Sequence, residues 1–361
     1  MATAERAIDR TGQLIAGKYR VIKQLGEGGF GVVWLASQDD IGRKIVLKVL
    51  HPQWAQVAVI VERFRREAVA TNRVAHPNIC KIFDYAMTDD GVPYIAMEYL
   101  EGGTLKEAVR VAGGQLSVAR VAELMAPVCD ALDVAHGSSI VHRDLKPENI
   151  MIAWRDGVHE EAVVLDFGIA KLMDAADKLT QTGSMLGTPT YMSPEQCRGM
   201  KDIGPPADVY SLAVIVFELL SGATPFKAKT VAELAMKHVL DVPPPLVGVP
   251  PAVAQIIAQC LAKEPQQRPT ASGLGNALRE AARALGPQAL VTTAKRASPV
   301  AATVNDPHAA ATMMSTGTGA DLEKKIRAEL AGGKRGLSWG ILVMVVVTLG
   351  ALGCLVALLL R

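Results

Sequence analysis

The spacing of apolar residues changes near residue 100, and this change limits the folds open to the chain. Over residues 18–100, apolar and polar residues alternate in short runs typical of β-strands, with one helical stretch at 57–75. From residue 104 onward, helical spacing dominates. A small β-rich part followed by a larger α-rich part is an α+β arrangement. The predicted strands are 19–25, 32–37, 45–50, 79–86 and 92–99, and the later predicted helices are 104–112, 117–137, 207–221, 230–239, 250–262 and 271–285.

Composition removes several classes of function. The 361 residues include 38 Lys and Arg against 36 Asp and Glu, a formal net charge of +2, so nothing in the overall charge points to nucleic acid. Hydrophobic residues make up 50% of the chain, which is enough to bury a large core. The five cysteines are widely spaced and include no CxxC pair, so we expect neither a disulfide scaffold nor a zinc site.

Residues 337–360 form a long run without a charged residue. As a helix this run would span about 36 Å, which is enough for a hydrocarbon core of about 30 Å. A buried core helix is the alternative, although the run has no polar face. Five basic residues lie at 324–335 and only Arg361 follows, so the positive-inside rule places residues 1–336 in the cytoplasm. We therefore expect one transmembrane helix that anchors the chain in the cell (inner) membrane. We do not expect the chain to be a receptor that senses a ligand outside the cell.

The remaining segments complete the predicted domain organisation. Residues 1–17 are an N-terminal extension, and residues 18–285 form a two-lobed domain with lobes at 18–98 and 99–285. Residues 286–336 are rich in Ala, Thr, Ser, Gly and Pro, which is typical of a flexible linker.

A glycine-rich motif, Gly26-Glu-Gly28-Gly-Phe-Gly31, lies between two predicted strands. Glycines let a backbone close over phosphates and donate N–H groups to their oxygens. The same motif opens dinucleotide-binding folds, but there it runs from a strand into a helix. An ordinary glycine-rich turn is the other alternative.

A lysine, Lys48, follows on the third predicted strand within an apolar run. An ammonium in such a place needs an anionic partner. Glu67, on the amphipathic helical stretch, is the candidate. An ion pair at the surface is the alternative for these two residues taken alone.

The most specific signal is a series of polar motifs in a fixed order. The stretch VHRDLKPEN contains Asp144, Lys146 and Asn149, and Asp166 opens the DFG sequence that follows. Further along come the segment TPTYMSPE at 188–195, the sequence DVYS at 208–211 and the sequence RPT at 268–270. Each motif alone could be a loop, but this order and spacing are not expected by chance.

This series resembles the signature set of the protein kinase superfamily, over residues 18–285. It is most similar to the Ser/Thr branch, and particularly to the membrane-anchored Ser/Thr kinases of bacteria. Lys146 supports this, because tyrosine kinases usually lack a lysine two residues beyond the catalytic Asp. The resemblance implies a bilobal protein kinase fold, with a β-rich N-lobe and an α-rich C-lobe. It also implies transfer of the γ-phosphoryl group of ATP to Ser and Thr hydroxyls of protein substrates.

The resemblance also implies a role for each site residue. Asp144 would accept the proton of the substrate hydroxyl, and Lys146 would steady the charge of the transferring group. Asn149 and Asp166 would hold Mg²⁺, with Mn²⁺ as an alternative. Lys48, held in place by Glu67, would bind the α- and β-phosphates. The other ATP-binding residues are Gly26, Gly28 and Gly31 of the glycine-rich motif, Leu25, Val33, Val46 and Met151 around the adenine, and the backbone of Glu98 and Leu100.

Other residues match the supporting parts of the family. Thr188 would help form the hydroxyl-acceptor site, and Asp208 would brace the catalytic loop. Glu195 and Arg268 match a structural ion pair. We expect His142 to be packed rather than to act as a base.

Arg143, directly before Asp144, suggests how the chain is regulated. In this family such an arginine commonly pairs with a phosphate on the segment between the DFG and SPE sequences. We expect Thr180 and Thr182 in that segment to be autophosphorylated in trans, for which a homodimer would bring two chains together. The alternative is that both are solvated loop hydroxyls.

The chain departs from the family pattern at three places, of which Ser193, in place of the usual alanine before Pro194, is a common and mild change. Val46 stands where alanine is usual, which would narrow the adenine pocket. The stretch 154–161 is longer than expected, and we expect it to form a widened hairpin away from the site.

The rival functions are a catalytically inactive pseudokinase scaffold and a small-molecule phosphotransferase. Retention of Lys48, Glu67, Asp144, Asn149 and Asp166 together favours a protein kinase over the scaffold. The 188–195 segment favours it over the small-molecule enzyme.

Overall fold

The computed structural model describes residues 9–155, 159–167 and 188–286. Within these ranges a six-stranded antiparallel sheet precedes a mainly helical part, as the change of spacing predicts. The strand order is β1-β2-β3-β4-β6-β5. The strands are β1 (Leu14–Ile15), β2 (Tyr19–Glu27), β3 (Gly31–Gln38), β4 (Arg43–Leu50), β5 (Ile82–Met87) and β6 (Pro93–Glu98).

Residues Leu14 and Ile15, within the predicted N-terminal extension 1–17, form a strand of this sheet. β1 pairs with the start of β2, where Leu14 lies opposite Arg20. The buried Arg10 side chain forms an ion pair of 2.6 Å with Asp90, in the turn between β5 and β6. A strand of two residues shows no periodicity, which is why the pattern missed it.

Two helices follow β4. The first, α1 (Pro52–Ala55), is a single turn, and the second, α2 (Ala58–Arg73), matches the predicted helical stretch. Ile60, Phe64 and Ala68 recur every fourth position on the buried face of α2. Phe64 packs against Tyr85 of β5, with ring centroids 6.2 Å apart. Glu67 lies on this same buried face, so packing of α2 carries its carboxylate to the sheet.

A second, three-stranded sheet opens the helical part. Its strand order is β7-β8-β9, and all pairs are antiparallel. The strands are β7 (Gly102–Thr104), β8 (Ile150–Trp154) and β9 (Glu160–Val164). The helices of this part, within the described ranges, are α3 (Leu105–Val111), α4 (Val118–Gly137), α5 (Pro194–Cys197), α6 (Pro206–Ser221), α7 (Val231–Leu240), α8 (Pro251–Cys260) and α9 (Ala271–Ala284).

The core of the helical part is built around α4 and α6. Nearly every residue of α6 is buried, including the side chain of Asp208, which has no exposed surface. Helix α9 packs closely on α4 at Gly275, where a Cβ atom would come within 2.9 Å of Cys129 Cβ. Asp208 therefore sits inside a rigid core, from which it can hold a loop in place.

The segments expected to meet the membrane are not among the described residues. Neither the transmembrane prediction at 337–360 nor the linker beyond residue 286 can be placed in the fold. Within the described ranges, none of the helices has both the length and the hydropathy needed to cross a bilayer.

Candidate active site

The glycine-rich motif forms the turn of a β-hairpin. Gly26 and Glu27 at the end of β2 pair with Val33 and Val32 of β3. The strand–turn–strand context confirms the predicted hairpin and differs from the strand–turn–helix context of dinucleotide-binding folds. The N–H of Gly28 donates to the carbonyl of Gly31 at 2.9 Å, which closes the turn.

The register of β3 and β4 brings three predicted ATP contacts to one face of the sheet. Val33 lies opposite Lys48, and Leu35 lies opposite Val46. Residues two apart on a strand share a face, so Val33, Val46 and Lys48 point the same way. Of the other residues predicted to flank the adenine, Met151 lies on β8 and is buried, and Leu25 of β2 is partly exposed.

Glu98 and Leu100 lie where the first sheet ends, as predicted for the adenine-binding backbone. The N–H of Glu98 already donates to the carbonyl of Lys81 at 2.9 Å, so only its carbonyl remains for a nucleotide. Its carboxylate accepts a hydrogen bond of 3.0 Å from Arg155 of the β8–β9 hairpin. The sequence predicted that this hairpin lies away from the site, but Arg155 contacts Glu98, which is one of the predicted ATP-binding residues.

Lys48 joins two carboxylates. Its ammonium donates to Glu67 Oε1 at 2.6 Å and to Asp166 Oδ2 at 2.8 Å. Burial alone would lower the pKa of Lys48, but the carboxylates of Asp166 and Glu67 outweigh it and raise the pKa above its usual value. The predicted Lys48–Glu67 pair is confirmed, and it is buried rather than at the surface. The contact with Asp166 was not predicted.

The charge of Glu67 depends on this contact. Burial raises the pKa of Glu67 to about 7, although the ammonium of Lys48 acts to lower it. Burial disfavours the charged form of this carboxylate, and the cation beside it acts in the opposite direction and favours that form.

Asp144, Lys146 and Asn149 converge in the loop before β8. The Lys146 ammonium lies 3.6 Å from Asp144 Oδ2. The side-chain amide of Asn149 donates to the carbonyl of Asp144 at 2.8 Å. The backbone carbonyl of Asn149 accepts from the N–H of Leu165 at 2.8 Å, which brings this loop beside Asp166.

Asn149 and Asp166 are a suitable pair of ligands for Mg²⁺. Within the described ranges, no group of three or more His, Cys, Asp or Glu side chains is arranged to hold a metal ion. A cation held by Asn149 and Asp166 would therefore need further ligands from phosphate and water. Because the amide nitrogen of Asn149 points at Asp144, its amide oxygen is turned the other way. Two hard oxygen donors with positions left for phosphate and water fit the coordination that Mg²⁺ prefers.

Comparison with known proteins identifies the fold that carries this site. The sequence-family model of the protein kinase domain matches residues 19–277 of this chain. The chain belongs to the protein kinase family. Three of its curated relatives are bacterial kinases. Serine/threonine-protein kinase Pkn1 of Myxococcus xanthus is 42% identical over 256 residues, which cover 70% of this chain and 36% of the relative. PknA of Mycobacterium tuberculosis is 38% identical over 269 residues (73% and 61%), and PrkC of Bacillus subtilis is 37% identical over 261 residues (71% and 39%).

A solved structure agrees with these relatives. The kinase domain of M. tuberculosis PknI has a TM-score of 0.59 and 28% sequence identity, over 77% of this chain and 100% of that chain. This chain spans between 36% and 61% of the length of the three curated relatives named here.

The loop that carries Asp144, the predicted catalytic loop, is held by Asp208 of α6. The Asp208 carboxylate accepts hydrogen bonds from the N–H groups of His142 and Arg143 at 2.8 and 2.7 Å, and one of 2.8 Å from His136 Nε2. Burial would raise the pKa of Asp208, but its contacts, first among them the bond from His136, lower the pKa below its usual value. The predicted bracing contact is therefore present.

His142 is packed into the kinase core, as predicted. Its side chain is fully buried, and its Nε2 atom lies 3.0 Å from the carbonyl of Leu165. The ring also packs against Phe167, with centroids 5.1 Å apart. These contacts tie the catalytic loop to the chain around Asp166.

The predicted ion pair between Glu195 and Arg268 is also present in this kinase. Two parallel hydrogen bonds of 2.7 and 2.9 Å join the guanidinium to the carboxylate, and both side chains are buried. Thr188, the predicted substrate-site residue, is exposed.

The predicted phosphorylation sites, Thr180 and Thr182, lie outside the described residues of the kinase, as does Gly168 of the DFG sequence. Arg143, their predicted partner, donates from Nη2 to the carbonyl of Ile203 at 3.2 Å. Its buried Nε atom has no acceptor among the described residues.

Sequence reasoning missed one residue that contacts the loop carrying Asp144. Gln196 of α5 donates from its side chain to the carbonyl of Arg143 at 2.6 Å. The spacing of Ser193 and Gln196 is that of a capping box, and the structure has one. This signal could have located the start of α5, but not the contact with Arg143, which lies 53 positions away.

Proposed function

We propose that this chain is a Ser/Thr protein kinase that transfers the γ-phosphoryl group of ATP to Ser and Thr hydroxyls of proteins. One observation carries the proposal: Lys48 bridges Glu67 and Asp166 while Asp144 and Asn149 stand beside them. All five residues that the proposed chemistry needs therefore lie close together, which supports the proposal. A pseudokinase scaffold is the alternative, but a scaffold has no need of this arrangement.

In the proposed reaction, Asp144 accepts the proton of the substrate hydroxyl. The hydroxyl oxygen forms a bond to the γ-phosphorus, while the bond from that phosphorus to the bridging oxygen of ADP breaks and ADP keeps the electron pair. A positioned base of this kind typically contributes roughly 10²–10⁴ in rate. Lys146, 3.6 Å from Asp144 Oδ2, is near enough to stabilise negative charge on the transferring group.

Binding of ATP would use the face of the sheet that carries Lys48. The ammonium is buried and charged, so it suits the α- and β-phosphates. Asn149 and Asp166 would hold Mg²⁺, which would supply positive charge to offset that of the phosphates. Val33 and Val46 would face the adenine, where valine at position 46 leaves less space than alanine would.

A labelling experiment on the full chain in detergent tests this proposal. We expect transfer of label from γ-labelled ATP to a protein acceptor, and its loss in Asp144→Asn. Asp40→Asn, a change of the same chemistry at an exposed residue, is the matched control and should label like the wild type. Equal, negligible labelling by all three would favour the scaffold. Labelling of small alcohols but not of proteins would favour a small-molecule phosphotransferase.

Activation would come from phosphorylation of Thr180 and Thr182 by a second copy of the chain. The buried Nε of Arg143 supports this, because a phosphate supplies acceptors that a guanidinium can pair with. We expect wild-type chain to phosphorylate inactive Asp144→Asn chain at both positions, and the double change Thr180→Ala and Thr182→Ala to lower kcat. Thr292→Ala, at another hydroxyl outside the described residues, is the control. Mass spectra showing both threonines unmodified in active protein would contradict the proposal.

The kinase would be anchored in the inner membrane by residues 337–360, with its catalytic part in the cytoplasm. The length of the uncharged run and the basic residues before it support this. The full chain should remain in the membrane pellet after alkaline carbonate extraction, whereas a chain ending at residue 336 should be released. Release of both would contradict the anchor while leaving the kinase activity untouched.

A further inference from the structure

The segment directly after β4 holds the glycine-rich turn by the carbonyls of consecutive residues. The Nε2 atom of His51 lies 2.9 Å from the carbonyl of Gly28, and the indole Nε1 of Trp54 donates to the carbonyl of Gly29 at 2.8 Å. A carbonyl oxygen can only accept, so Nε2 of His51 carries the hydrogen. The backbone N–H of His51 donates to the carbonyl of Phe30 at 2.8 Å.

Residues 51–54, which we call the support of the glycine-rich turn, are held in place by packing. Trp54 is 2% exposed and His51 is 9% exposed. The Phe30 ring packs against Trp54, with centroids 5.7 Å apart. His51 directly precedes α1, which begins with a proline at its first position, so the backbone there has little freedom. The turn is thus fixed by side chains whose own positions are fixed.

The support acts from the side of the sheet away from Lys48. A small cavity is lined by Val32, Trp34 and His51, among others. Val32 and Trp34 alternate with Val33 along β3, so they face away from the side that carries Val33 and Lys48. His51 therefore reaches Gly28 from the face opposite to the proposed nucleotide site.

The carbonyl contacts set the direction of the N–H groups. In a trans peptide, the C=O and the N–H of the next residue point in opposite directions. Because the carbonyls of Gly28 and Gly29 point at His51 and Trp54, the N–H groups of Gly29 and Phe30 point away from those two side chains. For Gly29 this is the direction of the Lys48 side, because His51 lies on the opposite face. Such N–H groups are donors for phosphate oxygens.

We propose that His51 and Trp54 are positioning residues that hold the glycine-rich turn with its N–H groups aimed at the phosphates of the nucleotide. They act through the turn and do not touch the nucleotide themselves. The inference rests on the proposed function only in taking ATP as the substrate. It predicts that their loss weakens phosphate binding and leaves adenosine binding unchanged.

Binding of ADP with Mg²⁺ and of adenosine alone, measured by calorimetry on the full chain, separates these effects. Trp54→Phe keeps the buried ring and removes the N–H donor. We expect the Kd of ADP to rise about fivefold, the weight of one neutral hydrogen bond, while the Kd of adenosine stays within about twofold. Trp34→Phe is the matched control, because it makes the same change in the same lobe, and it should alter neither Kd.

A second variant keeps the test valid if Trp54→Phe does not fold. His51→Leu removes the donor to Gly28 and should also raise the Kd of ADP and the KM for ATP by about fivefold, with a smaller change in kcat. Amide hydrogen exchange at residues 28–31 should be faster in both variants. Equal weakening of ADP and adenosine, or no change in either, would overturn the inference. Failure of the wild type to bind either ligand would instead overturn the proposed function.

Discussion

The Asp208 carboxylate accepts the backbone N–H of Arg143 at 2.7 Å, and Arg143 has a φ of 68°. A non-glycine residue in this left-handed region costs about 1–3 kcal/mol and persists only where its surroundings hold it. Here Gln196 also donates to the carbonyl of Arg143, at 2.6 Å. Both peptide groups of Arg143 are therefore held by C-lobe helices, and Asp144 is the next residue. We infer that the strained backbone of Arg143 sets the orientation of Asp144, the proposed base.

Asp208→Asn should separate catalysis from nucleotide binding. Asparagine keeps the size of the side chain but replaces one acceptor oxygen by a donor, which leaves a buried N–H of the catalytic loop without an acceptor. We expect kcat to fall roughly tenfold to a hundredfold because Asp144 is misplaced, with little change in the KM for ATP. The free energy of unfolding should fall by about 2–4 kcal/mol, as measured by urea denaturation. Unchanged kcat would contradict the bracing role, and Asp40→Asn should change neither quantity.

Arg268→Ala should destabilise the C-lobe without touching the chemistry. It removes the partner of the buried Glu195 carboxylate and also vacates hydrogen bonds to the carbonyls of Pro206, Ala262 and Lys263. Leaving a buried charge unpaired typically costs about 3–5 kcal/mol. Urea denaturation should show a loss of this size.

Arg66→Ala, in an exposed pair with Glu62, is the control for this change. It should leave the unfolding midpoint nearly unchanged, because exposed pairs contribute little. A similar small effect for Arg268→Ala would mean that the buried pair is not needed for stability.

The part of the site that could be predicted is the part carried by contiguous motifs. Asp144, Lys146 and Asn149 share one loop, so their convergence follows once the motif is recognised. The Lys48–Glu67 pair could be predicted because each residue sits on a strongly patterned element, a β-strand and an amphipathic helix. The periodicity of apolar residues is a local property of the sequence, and it predicts strongly patterned strands and helices well.

The parts that could not be predicted depend on tertiary contacts. His136 meets Asp208 across 72 positions and Arg155 meets Glu98 across 57, and neither residue stands in a recognisable pattern. The turn that closes onto His51 and Trp54 is likewise set by packing of the lobe. Such contacts follow from where whole elements dock, which spacing along the chain does not encode.

His238 should make the kinase lose stability in mild acid. It is 1% exposed, and its Nδ1 lies 3.0 Å from the Tyr210 hydroxyl. Burial, together with the nearby Lys263 ammonium, lowers the pKa of His238 from 6.5 to about 4. Between these values the unfolded chain binds the proton and the folded chain does not, so stability present above pH 6.5 is lost as the pH falls toward 4.

This group alone should remove about 3 kcal/mol between pH 7 and pH 4. Urea denaturation at both pH values, for wild type and His238→Gln, isolates the effect, because every other titrating group is common to both proteins. The wild type should lose more stability than the variant. Equal losses would show that His238 is protonated equally in the folded and unfolded chains.

Glu67 and Lys48 should act as one unit in catalysis. Glu67→Gln removes one charged partner of Lys48 and leaves Asp166, so kcat/KM for ATP should fall about tenfold to a hundredfold. Lys48→Met removes the ammonium itself and should cost more. In that variant Glu67 also loses the cation that lowers its pKa, so it should be protonated near neutral pH and leave no bare buried charge.

The double variant tests whether Glu67 works through Lys48. Because its only proposed task is to hold that ammonium, Glu67→Gln combined with Lys48→Met should be no slower than Lys48→Met alone. Glu62→Gln, on the exposed face of the same helix, is the matched control and should leave kcat/KM unchanged. Losses that simply multiply in the double variant would mean that Glu67 acts independently, for example by fixing the position of α2 on the sheet.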